Sequence, residues 1–520
     1  MLAESTSLVK ILYQQYLAPY LLWILLGSFV VDFLVTKFNR HYYDIPGPFF
    51  ASFTGLWRAW DTLKGNAMFT DIELHKRYGP IIRVGPKHIS FSDPEAIKVI
   101  YSVGGGFHKT AFYPPMSALY EGKVLFNLFS SRDEEYHSKL KRPVAHTYSM
   151  AALKDLEPKI DHVSNLFIDR LNKDYAQKGV SVDLGKWLQF YAFDVIGNIT
   201  FSQTLGFIEQ ACDVDDMIAR IGGFMAYASV IGCLPWLHYL LAGNPILPIV
   251  FPAIETFNPA VNFALKCIKQ SEETNAAETT DQDDFLIRLQ KMQREGKKGF
   301  GRAELVNHTS SNVLAGSDTT AIALRSIVHN LITNPLCYKK LQDEIDSFDA
   351  AGKLSDPIQE SESARMPYTQ AIIKEAMRMH PSVGMMMERH VPKGGAVICG
   401  RFFPEGTVVG MNPWVVARHK PTYGDDVDVF RPERWLDADE EQLKAMERAS
   451  LAFGAGSRVC IGKNISIMEM SKCVPQLFRE FDITLVNPDK NLKVDDYWFP
   501  VQHGLLCRLT RRRKELKSQA

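Results

Sequence analysis

Eight cysteines are scattered along the chain as Cys212, Cys233, Cys267, Cys337, Cys399, Cys460, Cys473 and Cys507, and no two of them form a CxxC pair. That excludes a zinc ribbon and a disulfide framework, and it is the usage of a reducing compartment. Net charge is missing as well. The 59 basic residues are balanced by 59 acidic ones, for a formal +0, which argues against nucleic acid as a partner. The middle of the chain has no Pro/Ser/Gly-rich linker. Its 520 residues therefore read as one large domain, although length alone allows about three. No flavin- or nicotinamide-binding fingerprint is found.

A long apolar run is present near the start, from Tyr16 to Phe38. A helix of about 20 such residues crosses a bilayer. Tyr16, Tyr20 and Trp23 cluster toward one end, as interfacial aromatics do, and Lys37, Arg40 and His41 follow the other. The positive-inside rule then places everything after residue 40 in the cytosol. Asp32 is the awkward residue, because charge inside a span is costly. A cleaved signal peptide is the rival reading; the late start, the length and the missing small-residue cleavage site weigh against it. The stiff turn Ile45-Pro46-Gly47-Pro48 follows. Residues 1–44 are thus expected to be an anchor and linker, and 45–520 the catalytic domain.

Further along, Ile81–Val84 and His88–Phe91 read as a hairpin, and Asp93 as the N-cap of a helix. Glycines 104 to 106 open a long irregular segment to about residue 131, which carries Phe112, Phe126, Leu128 and Phe129. Asp133 to Arg142 looks like a helix with an acidic first turn, His137 and Lys141 sharing a face. Residues 216 to 258 are unusually apolar, and Glu272 to Asp284 read as a solvated loop. A helix is expected from about Arg302 to Asn334, where Asn334-Pro335 stops it. In its middle, Ala315-Gly316-Ser317-Asp318-Thr319-Thr320 weakens the helical propensity. A helix of small residues with a bonding hydroxyl can open by one turn. Glu375 and Arg378 form an i, i+3 pair.

The chemistry concentrates in Phe453-Gly-Ala-Gly456-Ser-Arg458-Val-Cys460-Ile-Gly462. A metal-ligating cysteine must be a thiolate, which needs donors and positive potential. Glycines without a Cβ let backbone N–H groups approach the sulfur. The run from Ile461 to Phe478 is expected to be helical, with Cys460 at its positive end.

Phe453, Gly456, Arg458, Cys460 and Gly462 match the haem signature FxxGxRxCxG, and the chain resembles the cytochrome P-450 monooxygenases. Ala315 to Thr320 is similar to the family's [AG]GxDT[TS]. Glu375, Arg378 and Pro432-Glu433-Arg434-Trp435 resemble its ExxR and PERF-like segments, with Trp for Phe. The text around Arg142 to Met150 resembles fungal members of the pisatin demethylase type. The resemblance implies a mainly α-helical prism with a smaller β region, and haem b held by Cys460 as axial thiolate. It implies Asp318 and Thr319 as proton-delivering residues, and Glu375, Arg378 and Arg434 as a structural lock. It puts His137, Lys141 and Arg389 on the haem propionates, where His and Lys replace the usual Trp and Arg of W-x-x-x-R, and makes Arg458, placed to meet an anionic group beside the sulfur, and Phe453 cofactor-binding residues. The roof loop would give Phe126 to the substrate pocket, joined by Ala315, Gly316, Val383, Met385, Met386 and Val501; plain core is the bland alternative for the methionines and for any one loop residue. Implied partners are O2, an apolar small-molecule substrate, NADPH–cytochrome P-450 reductase, cytochrome b5 and the endoplasmic reticulum membrane, with Lys463 and the basic residues near Lys141 as a face for an acidic reductase. Two rivals remain: a haem-thiolate isomerase or dehydratase that does not use O2, and a haem-binding protein without turnover.

Overall fold

The computed structural model describes residues 18–244, 246–250, 258–274, 283–296, 299–489 and 491–512. The helices of eight or more residues are α1 (Ala18–Lys37), α2 (Leu56–Leu63), α3 (Ala67–Tyr78), α4 (Glu134–Val144), α5 (Glu157–Leu171), α6 (Leu184–Phe201), α7 (Met217–Gly232), α8 (Pro259–Glu273), α9 (Phe285–Arg294), α10 (Arg302–Thr333), α11 (Pro335–Ala350), α12 (Pro367–Met379), α13 (Glu440–Ala449) and α14 (Lys463–Glu480). The strands are short. β1 (Ile81–Arg83), β2 (His88–Phe91), β3 (His108–Lys109), β7 (Arg389–His390) and β10 (Val408–Gly410) form a five-stranded sheet in the order β1-β2-β10-β7-β3. Hairpins β4 (Ala118–Tyr120)–β5 (Lys123–Leu125), β8 (Ala396–Ile398)–β9 (Arg401–Phe403) and β12 (Lys493–Tyr497)–β13 (Phe499–His503) stand apart from it. β6 (Val182–Asp183), β11 (Phe481–Leu485) and β14 (Leu506–Arg511) make a last sheet.

The helical core is organised on α10. Its 32 residues span about 48 Å at 1.5 Å per residue. Glu304 Oε2 accepts from the Gly301 amide at 2.8 Å at its start, and Asn334-Pro335 ends it, because the residue before proline is pushed out of the helical region. α6 is apolar nearly all round and buried from Leu184 to Phe201 apart from Lys186, as a helix enclosed on every side must be. It lies along α10. A Cβ on Gly316 would come within 2.9 Å of Ile196 Cδ1, so glycine there sets how closely the two helices approach.

Behind α10, one buried carboxylate joins three segments. Glu375 on α12 accepts from Arg378 Nε at 2.9 Å and Nη2 at 2.8 Å, from the Arg431 amide at 3.1 Å and from Arg434 Nε at 3.4 Å. Trp435, which stands where phenylalanine is usual, donates its Nε1–H to Glu375 Oε2 at 2.9 Å. Arg378 donates onward to the Ala417 and Val427 carbonyls. The expected lock is present, with an indole donor added that phenylalanine lacks.

The β1–β2 hairpin forms as expected, and Asp93 caps a short 3-10 turn by accepting from the Glu95 amide at 2.9 Å. The segment from 104 to 131 is less irregular than expected, because it contains β3 and the β4–β5 hairpin. Most of the acidic loop after Glu272 and part of the apolar 216–258 stretch lie outside the described residues, as does Tyr16. Among the described residues no helix is long and apolar enough to cross a membrane, so the expected transmembrane anchor is not shown. α1 is 20 residues long and ends at Lys37, where Arg83 Nη2 donates to the Thr36 carbonyl at 2.7 Å and ties it to the domain.

Candidate functional site

Cys460 lies just before α14. Its sulfur accepts from the Gly462 and Lys463 amides, the first free donors of that helix. The thiol is open on one side, where it counts as exposed, and enclosed by protein on the others. Burial pushes it up, while the two amides and the charges of Lys141 and Lys463 pull it down; a coordinated metal ion holds such a thiol deprotonated outright. The turn is fixed by the Cys460 amide donating to the Phe453 carbonyl at 2.9 Å. Its obligatory glycine is Gly456, at φ +66°, where a Cβ would fall 1.9 Å from the Tyr101 carbonyl oxygen. At Gly462 a Cβ would meet the sulfur only at an ordinary 3.9 Å, so close approach of the amide does not require glycine there, contrary to expectation. Lys463 Nζ sits 5.7 Å over the Phe453 ring.

Next to this turn the chain gathers cations. His137 and Arg389 are buried, and Lys141 donates to the Ser457 carbonyl at 2.9 Å. Burial, with the Arg458 charge next, lowers His137 to about 4, so it is neutral at physiological pH and can serve as an N–H donor. Lys109, which no sequence motif marks, is 4% exposed. Its Nζ donates to the Phe129 carbonyl and lies 4.1 Å from the Tyr113 ring and 4.0 Å from the Phe129 ring. Lys109 and Arg389 are register partners across β3 and β7. Like charges in directly opposed strand positions repel, and burial together with Arg389 and Arg458 drives the Lys109 ammonium well down. Among the described residues, no carboxylate lies within ion-pair distance of Lys109, Lys141 or Arg389. Lys109 and Arg389 are buried and Lys141 half-buried, and cations so placed without an ion pair are costly unless an anionic group completes the corner. The propionates of haem b fit that demand, and Lys109, Lys141, Arg389 and the His137 N–H are the residues that would hold them. Arg458 reaches the same corner, but its guanidinium is turned to Glu134 (2.7 Å) and to the Leu128 and Ser131 carbonyls (3.2 and 3.0 Å).

In the middle of α10, Ala315 is exposed and Thr319 half-buried. The Thr319 hydroxyl donates to the Ala315 carbonyl at 2.8 Å, an i−4 bond that draws that carbonyl away from the ladder. Ser317 does the same to Val313. The helix stays continuous through the motif, so the expected opening of a turn takes the form of hydroxyl back-bonding rather than a break. Asp318 is buried, and its Oδ1 accepts from Gln189 Nε2 of α6 at 2.5 Å. Burial pushes its pKa up against that bond and the Arg325 charge.

The walls are tied to the same helix. Ser382 Oγ donates to the Thr319 carbonyl at 2.8 Å, holding half-buried Val383 close to it. Gln502 Nε2 donates to the Ile322 carbonyl at 3.0 Å and secures β13 with Val501. Phe126 is 38% exposed, and its carbonyl accepts from Asn307 Nδ2 of α10 at 2.8 Å. Met385 packs with Phe112, Tyr113 and Trp498 on the roof side. Met386 does not line the pocket: it is buried among Ile82, Val84 and Val408 of the five-stranded sheet, because alternate side chains of extended backbone point to opposite faces. Thr319→Ala is expected to leave folding and haem content intact while several-fold more of the NADPH electrons end as peroxide, read by comparing NADPH oxidation, peroxide and product.

Comparison with known proteins agrees with this geometry. The Cytochrome P450 family profile matches residues 46–506. A cytochrome P450 monooxygenase of Aspergillus terreus is 39% identical over 448 residues, covering 85% of this chain and 90% of that protein. A pisatin demethylase of Fusarium vanettenii is 39% identical over 471 residues, 90% of this chain and 88% of that one. A cytochrome P450 monooxygenase of Emericella nidulans is 36% identical over 487 residues, 93% and 97% of the two chains. Members of the family bind haem b through a cysteine thiolate, as the Cys460 turn and its cation corner require. The chain belongs to the cytochrome P450 family and is a haem-thiolate monooxygenase.

Proposed function

We propose that this enzyme inserts one atom of O2 into an apolar small organic molecule of fungal secondary metabolism, drawing electrons from a separate NADPH-dependent reductase. The observation that carries the reading is the pairing of an open thiol at a helix N-terminus with an acid and an alcohol, Asp318 and Thr319, in the middle of α10. Haem bound at Cys460 supplies the reduction of O2 and the transfer of oxygen. The protein's own residues bind and orient. Lys109, Lys141, Arg389 and His137 hold the anionic edge, Val383, Val501, Phe126 and Ala315 present apolar surface to the substrate, and Asp318 and Thr319 hold the protons that the reaction consumes. The acid and alcohol distinguish this reading from an isomerase or dehydratase, which needs no proton supply for O2. The relatives named as monooxygenases and as pisatin demethylase support a fungal metabolite of similar size and apolarity. The test is turnover with isotopically labelled O2 over a panel of such metabolites; product carrying one labelled oxygen supports the reading, and label appearing only from water contradicts it.

We also propose that α1 holds the enzyme at the endoplasmic reticulum membrane with the catalytic domain in the cytosol. Tyr20, Trp23, Ile24, Val31 and Val35 of α1 are exposed, as are Phe49, Phe50, Leu56 and Trp60 just after it and Trp236 and Leu240 after α7. Apolar surface of this extent on one chain marks a contact with lipid or protein. Reductase and cytochrome b5 would then approach the face around Lys141 and Lys463. The full chain is expected to stay in the membrane pellet through a high-salt wash and to be released by detergent; recovery in the soluble fraction contradicts the anchor.

A further inference from the structure

A buried carboxyl group braces the substrate wall from behind. Val383 and Met385 flank Gly384, and a Cβ on Gly384 would fall 2.4 Å from Asp496 Oδ2 and 2.5 Å from Oδ1. The chain at Gly384 is pressed onto this carboxyl, and any larger residue would have to displace it. Asp496 lies on β12 and is fully buried. Its Oδ2 accepts from the Met68 amide at 3.2 Å. That bond serves the N-terminus of α3, whose own N-cap residue, Asn66, makes no side-chain bond. The Asp496 amide donates to the Gly65 carbonyl at 2.9 Å. Two residues on, Trp498 turns the hairpin at φ +77°, a left-handed conformation that bulky residues rarely adopt. Its amide lies close enough to the Asp496 carboxyl to lower the pKa there, and its carbonyl accepts from the Gly384 amide at 2.9 Å. Its indole closes the roof, with ring centroids 5.5, 5.9 and 5.3 Å from Phe112, Tyr113 and Phe129.

We propose that Asp496 is a positioning residue that, as an uncharged acid, sets the place of the wall at Gly384 and of the roof at Trp498, and that loss of its proton loosens both. The inference rests on the monooxygenase reading, which gives Val383 to the substrate wall. Among the described residues, Asp496 Oδ1 has no hydrogen-bond partner. Burial pushes the Asp496 pKa up to about 8; the Met68 and Trp498 amides pull it down, and Asp71 and Asp61 raise it further. A carboxylate would carry its charge on an oxygen that no donor meets, beside two further acids, and buried charge of that kind is costly. Asp71, on α3, accepts from Asn412 Nδ2 at 2.8 Å, and the same Nδ2 donates to the Gly384 carbonyl at 2.6 Å. Gly384 is thus tied to this group of acids through its carbonyl as well as through its Cα. Asp61, on α2, accepts from the Thr70 hydroxyl at 2.8 Å. The cations nearby are engaged or remote: Arg58 of α2 pairs with Glu388 at 2.5 Å, and Lys64 is exposed. On the hairpin, Asp495 pairs with Lys493 and His503, and the Tyr497 hydroxyl donates to the Leu63 carbonyl. α7, which also packs on β12, brings Arg220, which is exposed, and Tyr227, whose hydroxyl is bonded to His238. The segment 382–387 carries no titratable side chain.

The probe is 1-phenylimidazole, which ligates haem iron and sets an apolar ring in the pocket, with binding read from the haem spectrum of the loaded full chain. Its affinity for the parent is expected to fall several-fold as pH rises through about 8. Asp496→Asn keeps the shape of the neutral acid and an acceptor for Met68 but cannot ionise. It should match the parent below that pH and bind several-fold more tightly than the parent above it, with haem content and ferrous carbonyl spectrum unchanged. At equal pH on the alkaline side, amide hydrogens of segments 382–387 and 495–499 should exchange several-fold faster in the parent than in Asp496→Asn. Gly384→Ala should weaken binding several-fold at every pH, and adding Asp496→Ala, which removes the atoms the new Cβ would meet, should restore part of it. Asp496→Asn following pH as the parent does in affinity and exchange, or a double variant no better than Gly384→Ala, overturns the inference. A parent that binds the probe yet forms no oxygenated product from any metabolite overturns the monooxygenase reading instead, because these readouts need no turnover.

Discussion

Cys460→Ala is expected to fold, to lose the thiolate-type spectrum and to retain no more than background monooxygenation. A drop of at least about a thousand-fold corresponds to roughly 4 kcal/mol of lost transition-state stabilisation. The reason is specific to sulfur. A thiolate pushes electron density onto iron and favours O–O cleavage, and here it is held by the Gly462 and Lys463 amides and by the positive end of α14. Alanine keeps the turn, because the turn depends on Gly456 and on the Cys460 amide bonded to Phe453, not on the side chain. The cation corner of Lys109, Lys141 and Arg389 is untouched, so some haem can still bind through its propionates. Cys460→His separates binding from catalysis: it offers a ligand to iron but no anionic sulfur. Haem content with an imidazole-type spectrum and no oxygenated product is the expected outcome. Normal coupled turnover in either variant would show that the sulfur is not the ligand.

The second large effect is on stability. Glu375→Ala leaves Arg378 and Arg434, both under 6% exposed, without their shared carboxylate. Removing one partner of a buried ion pair costs about 3–5 kcal/mol, against a total of about 5–15 kcal/mol for a folded protein. Little folded, haem-binding protein should be recovered, and what is recovered should unfold at much lower urea. Trp435→Phe removes one of the donors to Glu375 and should cost about 1–2 kcal/mol, seen as a lower urea midpoint with the haem spectrum unchanged. Equal loss in the two variants would mean that the carboxylate matters only for packing.

Those two sites differ in how they could be read from the chain. Cys460, Glu375, Arg378, Asp318 and Thr319 sit in local motifs whose spacing carries their meaning; Cys460 lies just before α14, Asp318 and Thr319 lie within α10, and Glu375 and Arg378 on α12. Lys109 was not legible, because a single lysine in a two-residue strand acquires its role from Arg389, 280 residues away in sequence and opposite it in the sheet. Gln189 is in the same position: on an apolar helix it is one polar residue, and its bond to Asp318 exists because α6 lies along α10. Trp435 was visible as a departure, but not that its indole would supply a hydrogen bond to Glu375. Met386 was placed on the wrong face because a one-residue shift of extended chain reverses the side-chain direction. Arg458 is expected to meet an anionic group from its place two residues before the cysteine, but the sequence does not show that Glu134, brought in by the first turn of α4, accepts from its guanidinium at 2.7 Å.

Oxygen chemistry in this enzyme depends above all on the bond between the sulfur of Cys460 and iron. The ferrous carbonyl spectrum of the purified, full-length protein tests it most directly. The expected result is the red-shifted absorption band of a thiolate-ligated carbonyl complex, present in the parent and absent in Cys460→Ala. A folded protein that takes up no haem, or one whose carbonyl complex absorbs as a neutral imidazole adduct, would contradict it.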